Sequence, residues 1–216
     1  MARGRLITIE GLDGAGKSTL AQALARSISA RGHAAETLRE PGGVGLSERI
    51  RALVKDPSLA VGARTEALLY AAARAQLVEE RLSPLLAAGT IVILDRFVDS
   101  SLAYQGGGRA LGVGEVRAIN LFATGKLEPD RTLLLRVSPA EGRARLEART
   151  LAAGAPADGA PGPDRLEGEG DAFFDAIADA YEELAHLEPE RIRAIDASQP
   201  PEDVLRDALA AVEDLL

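Results

Sequence analysis

The run Gly11-Leu12-Asp13-Gly14-Ala15-Gly16-Lys17-Ser18-Thr19 leaves a chain few ways to fold. It meets the pattern G-x-x-x-x-G-K-[ST] in full. It follows the apolar β-type run Arg5-Leu6-Ile7-Thr8-Ile9 and opens the helix-patterned run Leu20-Ala21-Gln22-Ala23-Leu24-Ala25. Strand, glycine-rich loop and helix in that order make a phosphate cradle. The glycines let backbone N–H groups turn inward as an anion-sized nest, and the N-terminus of the next helix adds partial positive charge. Lys17 supplies a cation for the outer phosphates and Ser18 a hydroxyl for Mg²⁺. Gly11 and the loop from Asp13 to Thr19 are therefore expected to bind a nucleoside triphosphate.

The remaining chain supplies the frame for that loop. Apolar β-type runs recur at Leu6–Ile9, Ala35–Leu38, Ile91–Leu94, Thr132–Val137 and Ile192–Ile195, with helical patterns between them. This alternation predicts a single α/β domain over residues 1–216. Its architecture is a P-loop three-layer fold, a five-stranded parallel sheet with helices on both faces. Ile91-Val92-Ile93-Leu94 is apolar on both sides, as a buried central strand requires. Asp95 closes that strand and is expected to hold Mg²⁺ opposite Ser18. Arg96 follows at the carboxyl end of the strand, where ligands of open α/β sheets collect, and suits a second phosphate.

Other segments admit two readings. Arg39-Glu40-Pro41-Gly42-Gly43 is a rigid loop at a strand's carboxyl end, either a ligand loop or a plain turn. Arg49 and Arg51 are surface charges unless a ligand lies beside their helix. Thr65 to Ala88 reads as a long helical stretch that Pro84 kinks or restarts. Tyr70 and Arg74 share one face of it and suit a planar base. On spacing alone, a packing tyrosine beside a solvated arginine is the plainer reading. The Gly/Pro/Ala run from Leu151 to Pro163 is flanked by Arg145, Arg149 and Arg165 and predicts a lid over about 145–168. A tolerated surface insertion accounts equally well for residues 152–162.

Composition excludes several classes. With no cysteine there are no disulfides, thiolate metal sites or thiol nucleophiles. A net charge of −8 argues against a nucleic-acid or acidic-membrane surface. No apolar run approaches the ~20 residues that span a bilayer. The first residues lead straight into a strand, so no secretory leader is expected and a cytoplasmic setting is. His33 and His186 stand alone, without a metal or triad setting.

Taken together these residues resemble the thymidylate kinase family. Asp95-Arg96-Phe97-Val98-Asp99-Ser100-Ser101-Leu102-Ala103-Tyr104-Gln105 is similar to its signature D-R-[FY]-x-x-S-x-x-A-[YW]-Q. Arg39–Gly43 resembles its R-E-P-G-G loop, and Leu69-Tyr70-Ala71-Ala72-Ala73-Arg74 its base-binding helix. The resemblance implies ATP-dependent phosphorylation of dTMP, a step toward dTTP, with Mg²⁺ as cofactor and a homodimer as the assembly. It implies that Arg96, with Arg51 nearby, binds the acceptor phosphate. Tyr70 stacks on thymine, and Arg74 donates to its O4. Ser101 and Gln105 take the other polar edges, with Ser100 among the substrate residues. Tyr104 lies under the sugar's 2′ carbon, and Asp13 and Glu40 lie near the 3′-OH and acceptor phosphate. Gly14 stands where one subgroup carries an arginine, so the resemblance is to the bacterial subgroup whose catalytic arginine comes from the lid. Arg149 and Arg165 are the candidates, with Arg145 on ATP. Arg136 stands where relatives often carry Asp or Asn. Two alternatives remain open: a deoxynucleoside kinase acting on a 5′-hydroxyl, and a non-catalytic nucleotide switch.

Overall fold

Three strand ends meet on one edge of a parallel sheet, and the sheet's register brings them there. A computed structural model describes residues 3–152, 165–166 and 168–216, for 149–152 the backbone alone. The strands are β1 (Leu6–Gly11), β2 (Ala35–Arg39), β3 (Ile91–Asp95), β4 (Arg131–Arg136) and β5 (Ile192–Asp196). They form one five-stranded sheet in the order β2-β3-β1-β4-β5, parallel throughout. Asp95 lies opposite Ile9 of β1 on one side and Arg39 of β2 on the other. The P-loop, the Asp95-Arg96 step and the Arg39–Gly43 loop therefore leave the sheet side by side. Backbone bonds extend the alignment past the strands: Arg96 N donates to Ile9 O at 3.0 Å and Glu40 N to Asp95 O at 2.9 Å.

The helices are α1 (Lys17–Ala30), α2 (Gly45–Lys55), α3 (Ala63–Leu77), α4 (Ser83–Ala87), α5 (Val98–Ser101), α6 (Val113–Thr124), α7 (Pro139–Ala152), α8 (Asp171–Leu187) and α9 (Pro201–Val212). Alternation along the strands divides the core. Ile7, Ile9, Ile93 and Leu135 pack with Leu20, Leu24 and Ile28 of α1 and Val204 and Ala208 of α9. On the other face Leu134 meets Phe173, Ile177 and Leu184 of α8, while Val92 and Leu94 meet Leu77, Leu82 and Leu86. Among the described residues no helix is long and apolar enough to cross a membrane.

The stretch expected as helix over Thr65–Ala88 is realised with one irregularity. α3 widens into a π turn at Val78–Leu82 before continuing as α4, with Pro84 near its start. The proline ring clashes with the carbonyl four residues earlier. That residue is Glu80, inside the widened turn, so the helix continues without breaking. α7 carries helix as far as Ala152, so 145–152 of the expected lid is helical. Most of the Gly/Pro/Ala run, residues 153–163, lies outside the described residues.

Gly14 explains why α7 lies against the P-loop. Its φ is +82°, and a Cβ there would stand 2.1 Å from the Gly142 carbonyl oxygen. A Cβ on Gly142 would in turn stand 2.6 Å from the carbonyl oxygen of Asp13. An arginine at position 14 would need α7 to move away, and with it Arg145. Gly14→Ala should therefore destabilise the fold by about 1–3 kcal/mol, read by denaturant unfolding. Gly114→Ala, whose Cβ meets nothing within 4 Å, should be neutral or stabilising.

Candidate functional site

A crevice of about 420 Å³ opens where the three strand ends meet, lined by both halves of the predicted site. On one side are Asp13, Gly14, Gly16, Lys17, Ser18 and Thr19. On the other are Glu40, Arg51, Tyr70, Arg96, Ser100, Ser101, Tyr104 and Gln105, with Asp95 between and Arg145 reaching in from α7.

The cradle follows from glycine at the helix cap. α1 begins after Gly16, which sits at φ 90°, ψ 17° with no side-chain cap. The first-turn N–H groups thus keep their donors for an anion. Lys17 is buried, and its Nζ donates to Leu12 O at 2.7 Å and Gly11 O at 3.1 Å. Burial, and then the nearby Arg96 cation, draw its pKa down to about 8. Ser18 Oγ hydrogen-bonds Asp95 Oδ2 at the mouth of the cradle. A hydroxyl and a carboxylate oxygen are the hard donors that Mg²⁺ takes alongside phosphates and water. Among the described residues no cluster of three or more Asp, Glu, His or Cys is arranged to hold a metal. The pair therefore fits a metal completed by substrate and solvent.

Arg96 is the hinge of the crevice's other side. Its φ of 69° is left-handed, a conformation that costs a non-glycine residue on the order of 1–3 kcal/mol. The surroundings hold it there. One Nη2 donates to Asp13 Oδ1 at 2.7 Å and to Tyr104 OH at 3.0 Å, while Nη1 donates to Ser100 Oγ at 3.0 Å. The guanidinium lies 4.9 Å from the Tyr104 ring centroid. Burial would raise the Asp13 carboxyl's pKa, but Arg96 and Lys17 outweigh that and hold it well below the usual carboxylate range. Asp13 is thus an acidic bridge between the two cationic groups.

Behind this pair lies a residue that the motifs do not flag. Glu10, fully buried on β1, accepts from Phe97 N at 2.7 Å, Ser100 N at 3.2 Å, Ser100 Oγ at 2.6 Å and Tyr181 OH at 2.9 Å. It caps the turn that carries Arg96. Burial, then the neighbouring Asp99, raise its pKa. Thr8 and Glu10 are polar at period two within a strand otherwise buried and apolar, and that pattern was the available signal.

Glu40 is 5% exposed, and burial pushes its pKa up to about 7 against the opposing pull of Arg74. Arg74 sits behind the crevice wall, 1% exposed. Its Nε donates to Glu40 Oε2 at 2.7 Å, Nη1 to Ser101 Oγ at 3.0 Å and to Asn120 Oδ1, and Nη2 to Phe97 O at 2.8 Å. The solvated-arginine alternative is overturned, because this buried charge is fully coordinated. In the Arg39–Gly43 loop Glu48 accepts from Arg39 and from Gly43 N, and Arg51 Nη1 donates to Pro41 O at 2.9 Å, while Arg39, Glu40 and Pro41 line the crevice.

The three arginines of the expected lid separate. Arg145 lines the crevice, steadied by Glu141 at 2.7 Å. The side chain of Arg149 lies outside the described residues. Arg165 turns elsewhere: Nε donates to Val54 O at 3.1 Å and Nη2 to buried Glu66 at 2.6 Å. Arg136 forms an exposed pair with Glu182.

The family model described as thymidylate kinase matches residues 9–208. The chain is 45% identical to the thymidylate kinase of Lactobacillus helveticus over 214 residues, covering 98% of this chain and 96% of that protein. For the thymidylate kinase of Bacillus licheniformis the identity is 43% over 214 residues, with 99% and 97% covered. For that of Deinococcus radiodurans it is 41% over 214 residues, with 99% and 98% covered.

Proposed function

The chain belongs to the thymidylate kinase family, and on that premise we propose that its crevice joins ATP to dTMP, yielding ADP and dTDP. The γ-phosphoryl group of ATP passes to dTMP. Family membership favours neither the deoxynucleoside kinase nor the nucleotide switch. One observation carries the reading at the level of residues: the guanidinium of Arg96 is bonded to the carboxylate of the P-loop's own Asp13. A second cationic grip therefore stands beside the triphosphate cradle.

Phosphoryl transfer leaves the protein mainly positioning and charge to supply. The N–H groups around Gly14 and Gly16 and the Lys17 ammonium hold the donor phosphates. Ser18 and Asp95 would hold Mg²⁺, which when bound draws charge from the donor phosphate oxygens. Arg96 and Arg51 fix the acceptor phosphate in line. That acceptor is already ionised near neutral pH, so the site needs no general base. Tyr70 stacks on the base, while Ser101 and Gln105 meet its polar edges. Arg74 acts from behind the wall, setting Glu40 and Ser101. Tyr104 backs the sugar, with Asp13 and Glu40 near its 3′-OH and Ser100 steadying Arg96. The transfer arginine comes from α7, with Arg145 on the donor and Arg149 one turn further along the same helix. Arg165, bound to Val54 O and Glu66, steadies the far end of the expected lid. The ATP requirement favours a cytoplasmic setting.

The assembly we propose is a homodimer. Leu46 and Leu53 on α2, Leu68 on α3 and Leu121 and Phe122 on α6 are all exposed, Phe122 at 91%. α2 packs on α3 and α3 on α6, so these residues belong to neighbouring helices. Such a face is buried by a second copy of the same face.

A coupled assay should show ADP formation that depends on dTMP, with thymidine failing to replace it; ADP formation indifferent to dTMP would remove the kinase reading. In that assay kcat/KM for ATP should fall as pH rises through about 8, because Lys17 loses its proton there. Lys17→Arg should move that alkaline limb upward. Sedimentation equilibrium should report a dimer for the wild type and a monomer for Phe122→Asp.

A further inference from the structure

Gln105 faces the crevice with an amide that can present either of two opposite chemistries. Its carbonyl oxygen accepts hydrogen bonds and its NH₂ donates them. Which end faces a ligand depends on what holds the other end. Here that partner is Glu66, in the first turn of α3 and fully buried. Gln105 Nε2 donates to Glu66 Oε1 at 2.8 Å. A carboxylate in this position offers only lone pairs, so the assignment of the amide follows from chemistry: the NH₂ must lie on Glu66.

Glu66 is itself immobilised. Arg109 Nη2 donates to its Oε2 at 3.2 Å and Arg165 Nη2 to the same oxygen at 2.6 Å. Arg109 in turn is fixed by Glu169 at 2.6 Å and lies 4.6 Å from the Phe173 ring centroid. Every partner of Glu66 donates, so the carboxylate has no reason to release or reverse the amide.

We propose that Glu66 sets the pyrimidine selectivity of this enzyme by fixing the side-chain amide of Gln105 with its carbonyl oxygen toward the base. This rests on the reading that Gln105 meets the base edge. A fixed carbonyl accepts from the N3–H of a keto pyrimidine, thymine or uracil. Cytosine presents a lone pair at N3, and two lone pairs would face each other in a buried site. A site built to bond a substrate N–H rejects an analogue lacking it strongly, because the buried group is left unpaired. Glu66 touches no substrate; it is a positioning residue for selectivity.

The test compares kcat/KM for dTMP and dCMP in wild type, Glu66→Gln and Gln105→Leu. A glutamine at position 66 both donates and accepts, so it satisfies either orientation of Gln105. The dTMP:dCMP ratio should then fall by about tenfold or more in Glu66→Gln. A loss of kcat/KM for both nucleotides together, with the ratio intact, would show Glu66 to be structural only and overturn the proposal. An unchanged ratio in Gln105→Leu would overturn the reading of Gln105 itself. A changed ratio there, with none in Glu66→Gln, would overturn the role of Glu66 alone. Should Glu66→Gln fail to fold, NMR of the wild type decides. On adding dTMP, the Gln105 side-chain carbonyl carbon should shift while its NH₂ stays protected from exchange. Release of the NH₂ on binding would contradict the proposal.

Discussion

The contact between Arg96 and Asp13 holds the two halves of the crevice together. One residue belongs to the loop after β1, the other to the first position after β3, and the parallel register sets those positions side by side. Arg96 takes a left-handed backbone to aim its guanidinium inward. The strain is offset by Asp13, Ser100 and Tyr104 on the side chain and by Glu10 on the turn behind it. A cation held this way loses little freedom when an anion arrives, which is the advantage of preorganisation in phosphoryl transfer.

The same economy recurs with three buried carboxylates. Glu10 gathers the N–H groups of the Arg96 turn, Glu40 receives Arg74, and Glu66 receives Arg109, Arg165 and Gln105. A buried charge stripped of a partner is costly, so Glu10 and Glu66 are surrounded by donors, while Glu40 has Arg74 on one oxygen and its Oε1 without a hydrogen-bond partner. The consequence is that the crevice walls are fixed by charge as much as by packing. Substrate groups then meet donors and acceptors whose directions are already set. The glycine contact between Gly14 and Gly142 does the corresponding work for α7, bringing Arg145 to the cradle by leaving out side chains.

Much of this was legible in the sequence. Alternating apolar runs predicted the parallel sheet, and each of the five strands lies within a residue or two of its expected bounds. The P-loop, Asp95 and Arg96 line one crevice because motif residues at strand ends are placed by the sheet itself, and Tyr104 and Gln105 line it from the helical turn Leu102–Gly108. What was not legible depends on contacts across long separations. Nothing local shows that Glu66 meets Gln105, or that Tyr181 of α8 reaches Glu10 of β1. Arg165 looked like a lid cation from its neighbours in sequence, yet its guanidinium is bound to Val54 and Glu66. On spacing alone Arg74 read more plainly as a solvated charge, because i,i+4 spacing does not reveal which helical face is covered.

Calorimetric binding of dTMP and of thymidine to the wild type and to Arg96→Ala tests the central claim most directly. The account predicts that the wild type binds dTMP more tightly than thymidine. It predicts that Arg96→Ala loses most of that advantage while its affinity for thymidine is little changed. If Arg96→Ala kept the full preference for dTMP, the acceptor phosphate would be gripped elsewhere and the account would be contradicted.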